Sequence, residues 1–151
     1  MSTDIQIIPD ERIDALERAL VDNLPPAELN LAHLFLPGIY VRTIRMPKGS
    51  IVTSKIHKTR HPWFLLSGHV LVRDNDGTWN DIQAPHMGVT EPGTRRVIRM
   101  LDDTVWVTVH ATTKQTPDEV EADIIHKHDE HLGGTKPLIT EDAPCHLLQQ
   151  Q

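Results

Sequence analysis

The chain is poor in several things, and each shortage closes off a class of protein. It has a single cysteine, Cys145, so no disulfide framework can close within one chain and a cysteine-based zinc finger is ruled out. Aromatic residues are few: Phe35, Tyr40, Trp63, Phe64, Trp79 and Trp106. No apolar run approaches the roughly 20 residues of a membrane-spanning helix. The opening MSTDIQIIPDERID lacks the basic start and apolar centre of a signal peptide, so a cytoplasmic protein without a membrane partner is expected. Basic charge is scarce too. The formal net charge is -6 and long basic runs are missing, so no nucleic-acid partner is expected. There is no phosphate-cradling glycine loop, no His-Glu-x-x-His helix and no nucleophile elbow, and nothing near Cys145 would activate its thiol.

What is present fits one soluble domain. The 151 residues suffice for a core without covalent staples, and eleven prolines with eight glycines imply many turns. A helix is expected from Asp10 to Asn23, capped by Asp10 and ended by Pro25 and Pro26, with Ile13, Leu16, Leu20 and Leu24 on one face. From Leu31 the period changes to two. GIYVRTIRM reads as a strand with Tyr40, Arg42 and Ile44 on one face. IVTSKIH, WFLLSG, HVLVR and Thr78–Ile82 follow as strands, with DNDG as a hairpin turn. PHMGVTEPGT reads as a loop. RRVIRM and TVWVTVHAT read as a hairpin around Leu101-Asp102-Asp103, placing Trp106, Thr108 and His110 on one face and His110 beside Arg96. Thr116 and Glu119 have capping-box spacing and open a helix to about Lys127. Short strands at regular spacing predict a mainly β, antiparallel sandwich or barrel. The expected organisation is an N-terminal helical segment over 1–30, a barrel over 31–115, and a helix with a tail over 116–151.

The glycines and histidines between Gly49 and Arg96 form a pattern. Gly49, Lys55, His57, His61 and Gly68 hold the spacing of a glycine, a His-x-His pair, a glutamate and a closing glycine; EPGTRR supplies Gly93, with Arg96 at a histidine position. In this the chain resembles the cupin superfamily, over roughly Phe35 to Thr112. The resemblance implies an antiparallel jelly-roll barrel, here with an N-terminal and a short C-terminal helix. Lys55, His61 and Arg96 stand where the family has a histidine, a glutamate and a histidine. More loosely, HLFLPGIYVRTIRMPKGS with PGTRRV and DDTVWVTVH is similar to short cupin-type proteins encoded in tailed-phage genomes, which would put the protein in the cytoplasm of a host cell.

In the cupin placement His57 and His61 both point into the barrel. His110 is the candidate third ligand of a divalent ion, which neutral imidazoles would hold as zinc, iron, nickel or copper. A three-histidine site lacks the glutamate's negative charge and so favours a small anionic ligand. Arg42 and Arg96 would orient that ligand and Tyr40 would donate a proton or hydrogen bond, giving an enzyme acting through the ion. The alternative is a non-catalytic binding module, or a phage accessory or structural protein, with a degenerate site. There the histidines are polar residues at a barrel mouth and the arginines pair with Glu91, Asp102 or Asp103 or make a subunit contact. Either form suits a homo-oligomer such as a homodimer, with the N-terminal helix and tail packed across the interface. His33 is expected to be structural, His86 to sit in a loop, and His126, His128, His131 and His146 to form a solvated tail.

Overall fold

The computed structural model describes residues 11–23 and 29–126. Its elements in chain order are α1 (Glu11–Asn23), β1 (Asn30–Leu36), β2 (Ile39–Met46), β3 (Ile51–Thr53), β4 (His61–Ser67), β5 (His69–Arg73), β6 (Trp79–Gln83), β7 (His86–Thr90), β8 (Val97–Met100), β9 (Thr104–Ala111) and α2 (Pro117–Ile124). The Asp10 cap, the Pro25-Pro26 stop, Cys145 and the tail from residue 127 onward lie outside the described residues. Among the described residues no helix is long and apolar enough to cross a membrane.

The strands form two antiparallel sheets, one in the order β1-β2-β9-β4-β7 and one in the order β3-β8-β5-β6. Only β1–β2 and β5–β6 are hairpins within a sheet; every other link carries the chain from one sheet to the other. This is the jelly-roll arrangement expected from the sequence. Ile44, Met46, Val52, Leu65, Val72, Met100 and their neighbours fill the space between the sheets. Trp63 and Trp106 stack there with centroids 4.4 Å apart. The turn from β4 to β5 depends on Gly68. Its φ is +105°, and a Cβ there would lie 2.5 Å from Thr104 Oγ1, so only glycine fits.

Three expectations are corrected. RRVIRM and TVWVTVHAT do not form a hairpin: β8 pairs with β3 and β5, while β9 pairs with β2 and β4 in the other sheet. Leu101-Asp102-Asp103 bridges the two sheets, so His110 lies opposite Tyr40 rather than beside Arg96. A three-residue link between two alternating strands serves a hairpin or an arch equally well, and the burial of both strands' inner faces selects the arch. IVTSKIH is not one strand, since β3 ends at Thr53 and His57 makes an isolated bridge to Ile125. HMGVT is a strand, not a loop, and NLAHLFL forms the first strand.

Two helices close the structure. On α1, Ile13 and Leu20 are buried as their spacing predicts, but Asp14 and Glu17 are buried with them. Arg95 explains this: it reaches Asp14 Oδ1 at 2.6 Å and Glu17 Oε1 at 2.7 Å, and all three side chains are buried. On α2, Thr116 Oγ1 accepts from Glu119 N at 3.3 Å with Pro117 in the first turn, and Val120 and Ile124 turn inward. The Glu119 carboxylate accepts from Gln115 N instead of closing a reciprocal box.

Removing one partner of a buried ion network strands the others without compensation. Arg95→Met is expected to cost about 3–5 kcal/mol in urea unfolding. The triple variant Arg95→Met, Asp14→Leu, Glu17→Leu is expected to recover most of that loss; equal losses in both would contradict the account.

Candidate metal centre

Strand β9 has inverted polarity at the end nearest α2. Its inward residues are Thr104, Trp106, Thr108 and His110, all buried, while Val105, Val107 and Val109 face out. The pairing with β2 sets Tyr40 opposite His110, Arg42 opposite Thr108 and Ile44 opposite Trp106. One end of the interior is thus apolar, around the two tryptophans, and the other is polar.

The three histidines singled out in the sequence meet in the polar end. His110 comes from β9, His61 is the first residue of β4, and His57 lies in the segment after β3, held by backbone pairing to Ile125. They are 2%, 3% and 4% exposed respectively. One ring nitrogen from each lies within 4.8 Å of the others. Ring centroids are 4.4 Å apart for His57 and His61, 4.3 Å for His61 and His110, and 5.4 Å for His57 and His110. His61 Nδ1 lies 3.2 Å from the Thr59 carbonyl. A carbonyl only accepts, so Nδ1 is the donor in this contact. His110 Nε2 is 3.0 Å from Thr108 Oγ1.

The donor set suits a divalent ion of the zinc or iron kind, since three imidazoles are common ligands for both. A tetrahedral ion about 2.1 Å from each nitrogen needs nitrogens roughly 3.4 Å apart. The three ligand nitrogens, within 4.8 Å of one another, stand somewhat wider than that spacing.

The two cations at motif positions have other partners. Lys55 Nζ forms an ion pair with Glu121 on α2. Arg96 donates through Nη1 to Thr90 Oγ1 at 2.6 Å and through Nε to Asp74 Oδ1 at 3.4 Å, with its guanidinium 5.8 Å above the Trp63 ring. Burial lowers the pKa of Arg96 below its ordinary value, and the Asp74 carboxylate opposes that shift. The acceptor is in the DNDG turn, not among Glu91, Asp102 and Asp103. Arg96 still shares a cavity of about 40 Å³ with His57, His61 and Arg42.

A larger cavity, about 120 Å³, lies beneath α2. Arg42, Tyr40, Lys55, His57 and His110 line it from the barrel, and Asp118 and Glu121 from the helix. Tyr40, Val120 and Ile124 pack together at its edge. The Tyr40 hydroxyl is 2.5 Å from His33 Nδ1. The helix is tied down at its far end, where Lys58 N donates to Ile124 O at 2.7 Å and His126 N to Ile56 O at 2.8 Å.

The structure adds residues that the sequence did not single out. His33, expected to be structural, lines the larger cavity and touches Tyr40. Glu121 was an anonymous helix carboxylate, and only tertiary packing brings it to Lys55. His86 is on β7, its ring tilted against Trp63 with centroids 5.5 Å apart, and is not part of the histidine cluster. Phe64 is half-buried on the outer side of β4. Gly88 makes room for Trp63: a Cβ there would lie 2.4 Å from the indole. Gly88→Ala must shift Trp63 and, through their stacking, Trp106. The expected cost is about 1–3 kcal/mol, with an altered near-ultraviolet dichroism from the tryptophan pair. An unchanged spectrum and unfolding midpoint would contradict this packing.

No family model matches the chain, and no curated protein matches it in sequence. Solved structures do match in shape. KdgF from a Halomonas species superposes with a TM-score of 0.50 at 10% identity, over 61% of this chain and 84% of that one. An RmlC-like cupin family protein with a double-stranded β-helix fold from Methanocaldococcus jannaschii gives 0.49 at 10% identity, over 62% and 85%. A cupin protein from Bacteroides fragilis gives 0.48 at 18%, over 60% and 82%. Identities this low speak for the fold alone. With its interleaved pair of antiparallel sheets and its Gly68 turn, the chain has the cupin fold.

Proposed function

We propose that this protein is a metal-binding cupin in which His57, His61 and His110 hold one divalent ion and a small anionic molecule binds beside it. The observation that carries this reading is the convergence of three buried imidazoles, one ring nitrogen from each within 4.8 Å of the others. A bound ion would polarise an oxygen of the ligand or lower the pKa of a bound water. Three neutral ligands leave the ion's charge uncancelled, so the centre attracts anions.

The chain's own groups do the rest. Arg42 lines both cavities and offers a planar fork that matches a carboxylate or phosphate. Tyr40 presents a hydroxyl to the larger cavity and exchanges a hydrogen bond with His33, so it is placed to hold or pass a proton. Arg96, drawn back by Asp74 and Thr90, adds positive field from the far side of His57 and His61. Helix α2 covers the cavity and limits water. These assignments describe an enzyme if the ion turns over its ligand. A non-catalytic binding module is the second reading, favoured by Lys55 and Arg96 at two of the motif's ligand positions and by the helix over the cavity.

Elemental analysis of tag-free, natively purified protein tests the centre. One divalent ion per chain is expected, lost in His57→Ala and in His110→Ala while far-ultraviolet dichroism is retained. Absence of any ion after incubation with zinc, ferrous iron and nickel would overturn the proposal. The anion is tested separately by calorimetry of metal-loaded protein against a panel of small carboxylates. Arg42→Ala is expected to weaken binding by about 1.5–3 kcal/mol, the value of a hydrogen bond to a charged group. Unchanged affinity would remove Arg42 from the site.

A further inference from the structure

Of the three imidazoles at the polar end, His57 alone lies outside the nine strands. His61 and His110 are carried by β4 and β9, whose backbone ladders fix them. His57 sits in the segment between β3 and β4, and its peptide is held from two sides. On one side its carbonyl accepts from Gly93 N at 2.9 Å, in the turn between β7 and β8. On the other it pairs with Ile125, the residue that follows α2. Lys58 N donates to Ile124 O and His126 N donates to Ile56 O, so one bond stands on each side of His57. In an antiparallel pair of this kind the two opposed residues turn their side chains to the same face and sit close together. Ile125 accordingly lines the same cavity as His57. The Lys55–Glu121 ion pair ties the helix to this segment a second time, two residues before His57. The apolar hold of α2 on the barrel is small: Val120 and Ile124 against Tyr40, with Phe35 and Ile125 beside them.

We infer that α2 is the positioning element of the metal centre: its docking sets His57, so that ion binding closes the helix over the larger cavity and release of the helix loosens the ion. The inference rests on the proposed metal centre. A short helix with so little apolar contact docks and undocks locally, while the sheets stay folded. Undocking breaks the bonds at Ile56 and Lys58 and takes away one of the two backbone supports of His57. Strand pairing places His61 and His110 whether or not α2 is docked. An ion that needs all three nitrogens therefore binds the docked arrangement in preference. A ligand shifts an equilibrium by as much as its affinities for the two states differ. The coupling is reciprocal: the factor by which undocking weakens the ion is the factor by which the ion favours docking. The cover over the cavity and the ion beneath it then behave as one two-state element.

Zinc titration and amide hydrogen exchange on the full-length, tag-free chain test the inference. At saturating zinc the Lys58 and His126 amides are expected to gain at least ~10-fold in protection, while Asp74 N, bonded to Thr78 O in the turn between β5 and β6, gains none. His126→Pro removes one of the bonds beside His57 and little else. Ile125 has φ −101° and ψ 132°, a conformation open to a residue that precedes proline. His126→Ala keeps the N–H. His126→Pro is expected to weaken zinc binding about 10–100-fold, the range lost when a supporting partner of a metal ligand is removed, and His126→Ala to leave it close to that of the native chain. Val120→Asp puts a charge into the helix's apolar contact and is expected to act as His126→Pro does, with the dichroism of the sheets retained. Zinc held as tightly by His126→Pro and Val120→Asp as by the native chain, or bound without added protection at Lys58 and His126, would overturn the inference and leave the metal centre standing. A native chain that binds no zinc would overturn both.

Discussion

The structure depends on keeping three buried imidazoles together at the polar end of its interior. A buried charged group is costly unless it is paired, and three like charges side by side would add their repulsion. His57, His61 and His110 therefore belong together only as neutral rings or as ligands. Everything around them serves that requirement. The inward residues of β9 change from Trp106 to Thr108 and His110 along one strand, so that the polar end begins where the tryptophan stack stops. The Thr59 carbonyl and Thr108 hydroxyl fix ring orientations, as second partners do in metal sites.

The helices extend the same logic. Polar groups in the barrel mouth need cover, and α2 supplies it through a small apolar contact with Tyr40, backbone bonds near Ile124, and the Lys55–Glu121 pair. Lys55 occupies a position that the motif reserves for a ligand, and here it fastens the cover. At the other end of the chain α1 is held by Arg95, whose two carboxylate partners are buried with it. Neighbouring arginines thus have opposite duties. Arg95 anchors a helix, while Arg96 faces the interior and is restrained by Asp74 and Thr90.

Much of this was legible in the sequence where local chemistry dictates it. Period-two apolar patterns gave β2, β4, β5 and β9; the DNDG turn, the Thr116 cap and the motif glycines are local requirements of turn or cap. The three histidines were legible because their spacing fits the barrel's motif and the parity of β9. What was not legible is decided by tertiary pairing. The arch at Leu101-Asp102-Asp103 looks like a hairpin until the sheets are assembled. Strand β7 is hidden by its flanking prolines and glycines. Glu121 and His33 carry no local mark of their place, and the burial of Asp14 and Glu17 makes sense only once Arg95 is beside them. The outward valines of β9 were visible, but their meaning requires knowing which face is inside.

The most direct measurement is the X-ray absorption spectrum of the zinc-loaded, tag-free protein, with His57→Ala beside it. The account predicts three imidazole nitrogens at about 2.0–2.1 Å, with the multiple-scattering features of histidine, reduced in the variant. A shell dominated by oxygen, or one unchanged by His57→Ala, would contradict a centre built from His57, His61 and His110.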